Sequence, residues 1–243
     1  MKFLIGNFKM NKTFLETDEY VKKISKLINT FNDELKNIKI GIAPSFDSVY
    51  LSYLNPNRNF LFGMQNIFHE LNGAYTGEIS LNVAKEAKVD FILLGHSERR
   101  NLFNETDELI NKKIISLQKN NIKSILCIGE SIDEFENNLT FDVLKSQINN
   151  ALKNVKSYEN ILISYEPVYC IGNGNIPKIN HIQKVIDFIY TIVPNKVPIL
   201  YGGSVCCDNI KDLKKVSNLS GFLVGKASLN PDDFVNLAKL FNK

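Results

Sequence analysis

Asn160–Pro167 reads NILISYEP: an apolar run, then a carboxylate, then a proline. Ile161–Tyr165 is strand-length and continuous rather than alternating, the pattern of a parallel strand buried on both faces. Glu166 ends the run, and the CIGNG that follows (170–174) carries the chain into a loop. A lone Glu at a strand end is most often a solvated terminus. Its meaning here depends on what lies to either side.

Seven more runs of the same kind flank it: KFLIGNF (2–8), IKIGIAP (38–44), NFLFGMQ (59–65), VDFILLGH (89–96), IKSILCIGE (122–130), VPILYGG (197–203) and SGFLVGK (220–226). Helical patterns lie between them. Tyr20, Val21, Ile24, Leu27, Ile28 and Phe31 share one face at spacings of three and four. Leu109, Ile110, Ile114 and Leu117 do much the same, with the stem of Lys113 expected to snorkel along that face. Ile182, Val185, Ile186 and Ile189 repeat the pattern. A strand-then-helix unit recurs about every thirty residues, the size of one helical crossover. Eight such units predict a (β/α)8 barrel, one α/β domain over residues 1–243. A doubly wound open sheet is the alternative, but its early glycine-rich dinucleotide turn is missing, and Gly172–Gly174 comes too late to serve.

Composition narrows the function. The 243 residues are 44% hydrophobic, enough for a large core, and 29 basic residues nearly balance 26 acidic ones. With a net charge of +3 and no block of like charge, nucleic acid is not the expected partner. The opening MKFLIGNFKMNK is too short an apolar run for a signal peptide or a membrane span, and no later run is long enough. The cysteines, Cys127, Cys170, Cys206 and Cys207, have neither C-x-x-C nor secreted-domain spacing, which suits a reducing, cytoplasmic setting. His69 and His181 have no partner at metal-ligand spacing, so no metal site is expected.

In such a barrel the active site lies at the C-terminal ends of the strands. There the first run leaves Asn7 and Lys9, the third Gln65 and Asn66, and the fourth His96, Ser97 and Glu98. The fifth leaves Cys127 and Glu130, and the sixth Glu166. The seventh gives Gly202, Gly203 and Ser204, and the eighth Gly225 and Lys226. A solvated rim would scatter its polar groups over both ends. Convergence on one mouth makes Glu166 a candidate base.

At that point GNFKMN, GAYTGEIS, LLGHSERR, CIGE, YEPV followed by IGNG, YGGSV and LVGKASL resemble, in order from Gly6 to Leu229, the motif string of the triosephosphate isomerase family. The resemblance implies the TIM barrel and the cofactor-free interconversion of dihydroxyacetone phosphate and glyceraldehyde 3-phosphate, a step of glycolysis and gluconeogenesis. It assigns Glu166 as the base and His96 as the electrophile, a neutral imidazole in this family's own pattern. Lys9 supplies positive charge and Asn7 positions it, with Glu98 and Cys127 in support. Gly172, Ser204, Gly225 and Lys226 would hold the phosphate. The family's protruding loop matches NGAYTGEIS (72–80), so a homodimer is implied. In it Thr76 reaches the other site, and Glu78 meets the Arg99 of the other copy.

The chain departs from the pattern in places. Tyr169 and Cys170 stand where the family has Trp and Ala. Asn173 and Asn175 flank Gly174 where it has Thr and Lys, and Lys226 replaces a glycine. Ser220 replaces an acidic residue, which predicts a missing partner for Arg99 or another base, and DEFENNLT (133–140) lacks an arginine common there. Two rivals remain: a barrel isomerase for another sugar phosphate, and a barrel that only binds phosphometabolites. A degenerate binder would be expected to have lost one of Lys9, His96 and Glu166.

Overall fold

A computed structural model describes residues 1–171 and 176–242. The runs read as strands are strands: β1 (Lys2–Asn7), β2 (Ile38–Ala43), β3 (Leu61–Met64), β4 (Phe91–Leu94), β5 (Lys123–Ile128), β6 (Ile161–Tyr165), β7 (Ile199–Tyr201) and β8 (Gly221–Val224). Each pairs in parallel with the next and β8 pairs back to β1, so among the described residues the sheet closes on itself. Helices fill the crossovers. They are α1 (Phe14–Thr30), α2 (Asn32–Leu35), α3 (Leu51–Leu54), α4 (Leu81–Glu86), α5 (Ser97–Phe103), α6 (Asp107–Lys119), α7 (Ile132–Glu136), α8 (Thr140–Ala151), α9 (Ile179–Ile192), α10 (Ile210–Leu213) and α11 (Pro231–Asn242).

Closure divides the apolar side chains between two cores. Phe3, Ile5, Phe91, Leu93, Ile125, Cys127, Leu162, Leu200 and Leu223 pack together as one cluster inside the barrel. The alternate strand residues, such as Leu4, Ile92, Leu126 and Ile163, join the stripes of the helices in the second. Tyr20, Val21, Ile24 and Ile28 of α1 and Ile182, Val185, Ile186 and Ile189 of α9 are buried as their spacing predicts. Strands that face a core on both sides need continuous apolar runs, and these have them.

Lys113 corrects the reading of α6. It does not snorkel: the whole side chain is buried, and its Nζ binds Glu105 and, at 2.8 Å, the Oδ1 of Asn66. Burial depresses the ammonium's pKa while Glu105 opposes that shift. Asn66, placed at the mouth by sequence, serves this network. The missing partner of Arg99 is also found, since its Nε lies 3.3 Å from Glu105 Oε2. Ser220 lies elsewhere, lining a cavity with Tyr190, Asn218 and Leu219. Among the described residues no helix is long and apolar enough to cross a membrane.

Candidate active site

Strand alternation builds the site. Phe3 and Ile5 of β1 face the barrel interior, and two residues on, the same face presents Asn7. Leu162 of β6 is followed in register by Ser164 and then Glu166, and Ile125 of β5 by Cys127. The interior is apolar through its middle layers, and at the C-terminal ends it presents Asn7, Ser164 and Glu166. Those polar residues are themselves buried, so they form no solvated rim.

Lys9 sits just beyond β1 with a left-handed φ of 50°, a conformation that costs a non-glycine residue about 1–3 kcal/mol. Two amides hold it there. Asn7 Oδ1 accepts the Lys9 N–H at 3.0 Å, and Gln65 Nε2 donates to the Lys9 carbonyl at 2.8 Å. The Lys9 ammonium reaches Glu98 Oε1 at 2.7 Å. Glu98 thus touches the lysine directly and balances its charge.

His96 is the N-cap of α5. Its Nδ1 accepts the Glu98 N–H at 3.2 Å, so the proton of the ring sits on Nε2. That nitrogen lies 3.7 Å from Glu166 Oε2. Glu166 is 1% exposed; its Oε1 accepts from Ser164 Oγ at 3.4 Å, while its Oε2 accepts no hydrogen bond among the described residues. Gly202 of β7's end makes room for this carboxylate: a Cβ there would stand 2.7 Å from Glu166 Cγ and 2.6 Å from Ser164 Oγ. Burial, then the Glu166 charge, push the Cys127 thiol up, so Cys127 meets Glu166 as a neutral thiol.

Of the four residues expected to hold the phosphate, the structure describes three. Gly225 follows β8 against Lys9, a Cβ there falling 3.6 Å from Lys9 Cε. Lys226 opens the 3-10 turn Lys226–Ser228 with its side chain exposed. Ser204 Oγ donates to the Cys170 carbonyl at 2.6 Å, tying the segment after β7 to the segment after β6. Gly172 lies outside the described residues.

Two neighbours of the segment around Glu166 were given no role by the sequence reading. Ser164 is the one polar residue inside β6 and lies two positions before the base, a signal that alternation offered. Glu130 was placed at the mouth without a role. It is fully buried, accepts from Tyr165 Oη at 3.0 Å, and its carbonyl accepts the Val168 N–H at 3.0 Å. A cavity of about 450 Å³ lined by Met1, Lys2, Tyr190 and Ser220 opens at the opposite, N-terminal end of the strands, away from these groups. Among the described residues no three His, Cys, Asp or Glu side chains converge as a metal centre requires.

The comparisons with known proteins agree with this geometry. A family profile described as triosephosphate isomerase matches residues 2–241. The triosephosphate isomerase of Mycoplasma mobile is 39% identical over 98% of this chain and 99% of its own. That of Aquifex aeolicus is 37% identical over 99% of both. The crystal structure of triosephosphate isomerase from Bartonella henselae superposes with a TM-score of 0.88 at 28% identity, covering 100% of this chain and 99% of that one.

Proposed function

We infer the roles of the site from one premise: the chain belongs to the triosephosphate isomerase family. It is an isomerase that interconverts dihydroxyacetone phosphate and D-glyceraldehyde 3-phosphate. The residue roles below are our reading of how residues 1–243, as one catalytic domain, perform that reaction.

The reaction moves a carbonyl to the neighbouring carbon. A proton must leave one carbon, the electron pair must rest on oxygen as an enediolate, and a proton must return to the adjacent carbon. Glu166 Oε2 takes and returns the proton. It is buried, has no competing donor, and ends a rigid strand. His96 Nε2–H faces the same space, polarises the carbonyl, and then passes its proton between the two enediolate oxygens. An imidazole fixed by a backbone bond at Nδ1 needs no reorganisation during the step. Lys9, held by Asn7, puts its ammonium where negative charge accumulates, and Glu98 balances that charge in the free enzyme. Cys127 supports Glu166 from below as a neutral neighbour. Substrate phosphate binds to the backbone donors of Gly172, Ser204, Gly225 and Lys226, since glycine backbones and turn N-termini suit an anion. No electrons pass to or from the enzyme, so the chemistry calls for no cofactor.

We assign the enzyme to the cytoplasm and to a homodimer built through the loop around Thr76. The exposed Leu71 and Tyr75 beside that loop support the second assignment. The observation that carries the mechanism is the unpaired Oε2 of Glu166 facing the protonated nitrogen of His96 at 3.7 Å. A coupled assay with each triose phosphate in turn tests it. Both directions should proceed without added metal, and Glu166→Gln should lower kcat by at least about 10²-fold, the scale of base catalysis. A variant that keeps more than about a tenth of the activity would exclude Glu166 as the base.

A further inference from the structure

His181 belongs to no step above, yet it lies against the segment that carries the base. It sits in the first turn of α9, and its Nε2 stands 3.9 Å from Glu130 Oε1. That is too long for a hydrogen bond, but it sets the edge of the imidazole against the carboxylate. Among the described residues, His181 Nε2 and Glu130 Oε2 are both buried and both without a hydrogen-bond partner. A buried unsatisfied polar atom is costly, so both groups are held by their surroundings; Glu130 Oε1, the oxygen nearest His181, also accepts from Thr140 Oγ1 at 3.4 Å.

Phe135 supplies the hold. Its ring meets His181 edge-on, at 5.2 Å and 88°, and on another side stacks on Tyr169 at 4.6 Å and 28°. Phe135 rides on α7, a five-residue helix whose capping box joins Ser131 and Glu134. Glu130 in turn grips both flanks of the base. Its carboxylate accepts from Tyr165 Oη, and its carbonyl accepts the Val168 N–H. The Glu166 N–H donates to Ile128 at 2.7 Å, two residues before Glu130. The charge of Glu130 is felt throughout this shell, raising the hydroxyls of Tyr165, Tyr169 and Tyr201 in addition to their burial.

We propose that His181 is a positioning residue for the base: seated by Phe135, it fixes the buried Glu130 carboxylate, and Glu130 fixes Tyr165 and Val168 on either side of Glu166. This rests on the assignment of Glu166 as the base. A displaced base lowers kcat and leaves the binding of substrate phosphate alone.

The wild-type assay comes first, and its failure would overturn the assignment of Glu166 rather than the role of His181. Given an active wild type, His181→Ala should lower kcat about tenfold with KM within about twofold, since small misplacement of a reacting group is expensive. In a Glu130→Gln background, His181→Ala should cost less than about twofold more, because coupled residues are not additive. A second reading needs no activity. The chain has three histidines, so their ring NMR signals can be assigned, and Glu130→Gln should shift those of His181 and leave those of His69 in place. Unchanged kcat in His181→Ala, full additivity with Glu130→Gln, or unmoved His181 signals would each overturn the proposal.

Discussion

Burial raises the Cys170 thiol from 9.0 to about 11, with the Glu130 charge adding to the effect. At pH 8 a thiol at that value is thiolate in roughly one molecule per thousand, about a hundredfold less than an ordinary cysteine. Alkylation resolved by mass spectrometry should therefore label Cys206 and Cys207, both partly exposed, well before Cys170. Early modification of Cys170 would mean that its segment opens in solution. The folded state holds this proton more tightly than the unfolded chain does. Its contribution to stability is complete below pH 9.0 and is lost as the pH rises toward 11. Cys170→Ala should flatten that part of the melting-temperature profile. Glu105 gives a second residue-scale prediction. Glu105→Leu strands the Lys113 ammonium in the core with Asn66 as its hydrogen-bond partner and should cost about 3–5 kcal/mol in denaturant unfolding. Glu105→Leu with Lys113→Met removes both charges and should recover most of that loss. A double variant as unstable as the single would place the cost in packing rather than in the buried charge. Lys113 also shows why sequence misread this network: its position on the α6 face was visible, but the carboxylate that lets it be buried comes from a different turn of the chain.

Elements with two buried faces were legible, and elements held only by their ends were not. Every strand announced itself by a mostly apolar run, because the barrel interior and the helix layer both favour apolar residues. The short α7 has no buried residue and hence no apolar period; Ser131 and Glu134, spaced as a capping box, were its one signal. Its importance lies in placing Phe135 beneath Tyr169. The stack gives Tyr169 an aromatic seat although the family's Trp is absent, and Ser204 pins the next residue through the Cys170 carbonyl. Tyr169→Trp enlarges the plate in the segment that leads from the base toward Gly172. It should change kcat and KM together for the phosphorylated substrate and leave turnover of unphosphorylated glyceraldehyde almost unchanged, since that substrate has no phosphate to engage the segment. Equal changes on both substrates would place Tyr169 with the chemistry or the fold.

At the scale of the whole molecule, the alternation that fills the barrel also delivers Asn7, Cys127 and Glu166 to one end; the continuous runs made the fold legible, whereas the residue roles came from the resemblance. What the pattern left open is the outer surface near that end. Met10 is 97% exposed, Leu15 72%, Leu102 71% and Phe103 64%, and Leu71 and Tyr75 add to them. These residues follow β1, β3 and β4, on the side of the barrel where the active-site groups emerge. Scattered apolar residues are ordinary on a surface, but these large ones all lie on segments after β1, β3 and β4, which the proposed homodimer would cover. In the homodimer proposed above, the segment around Thr76 would lie among them, and a two-fold axis would present the same patch from both sides. Sedimentation at micromolar concentration should give twice the 27.6 kDa of the chain. Phe103→Glu puts a charge into that patch without touching Lys9, His96 or Glu166. It should yield a species at chain mass that unfolds cooperatively and has lost at least about tenfold in kcat, because Lys9 and His96 precede segments that a partner would hold in place. A Phe103→Glu monomer with wild-type turnover would show that the active site is complete within one chain.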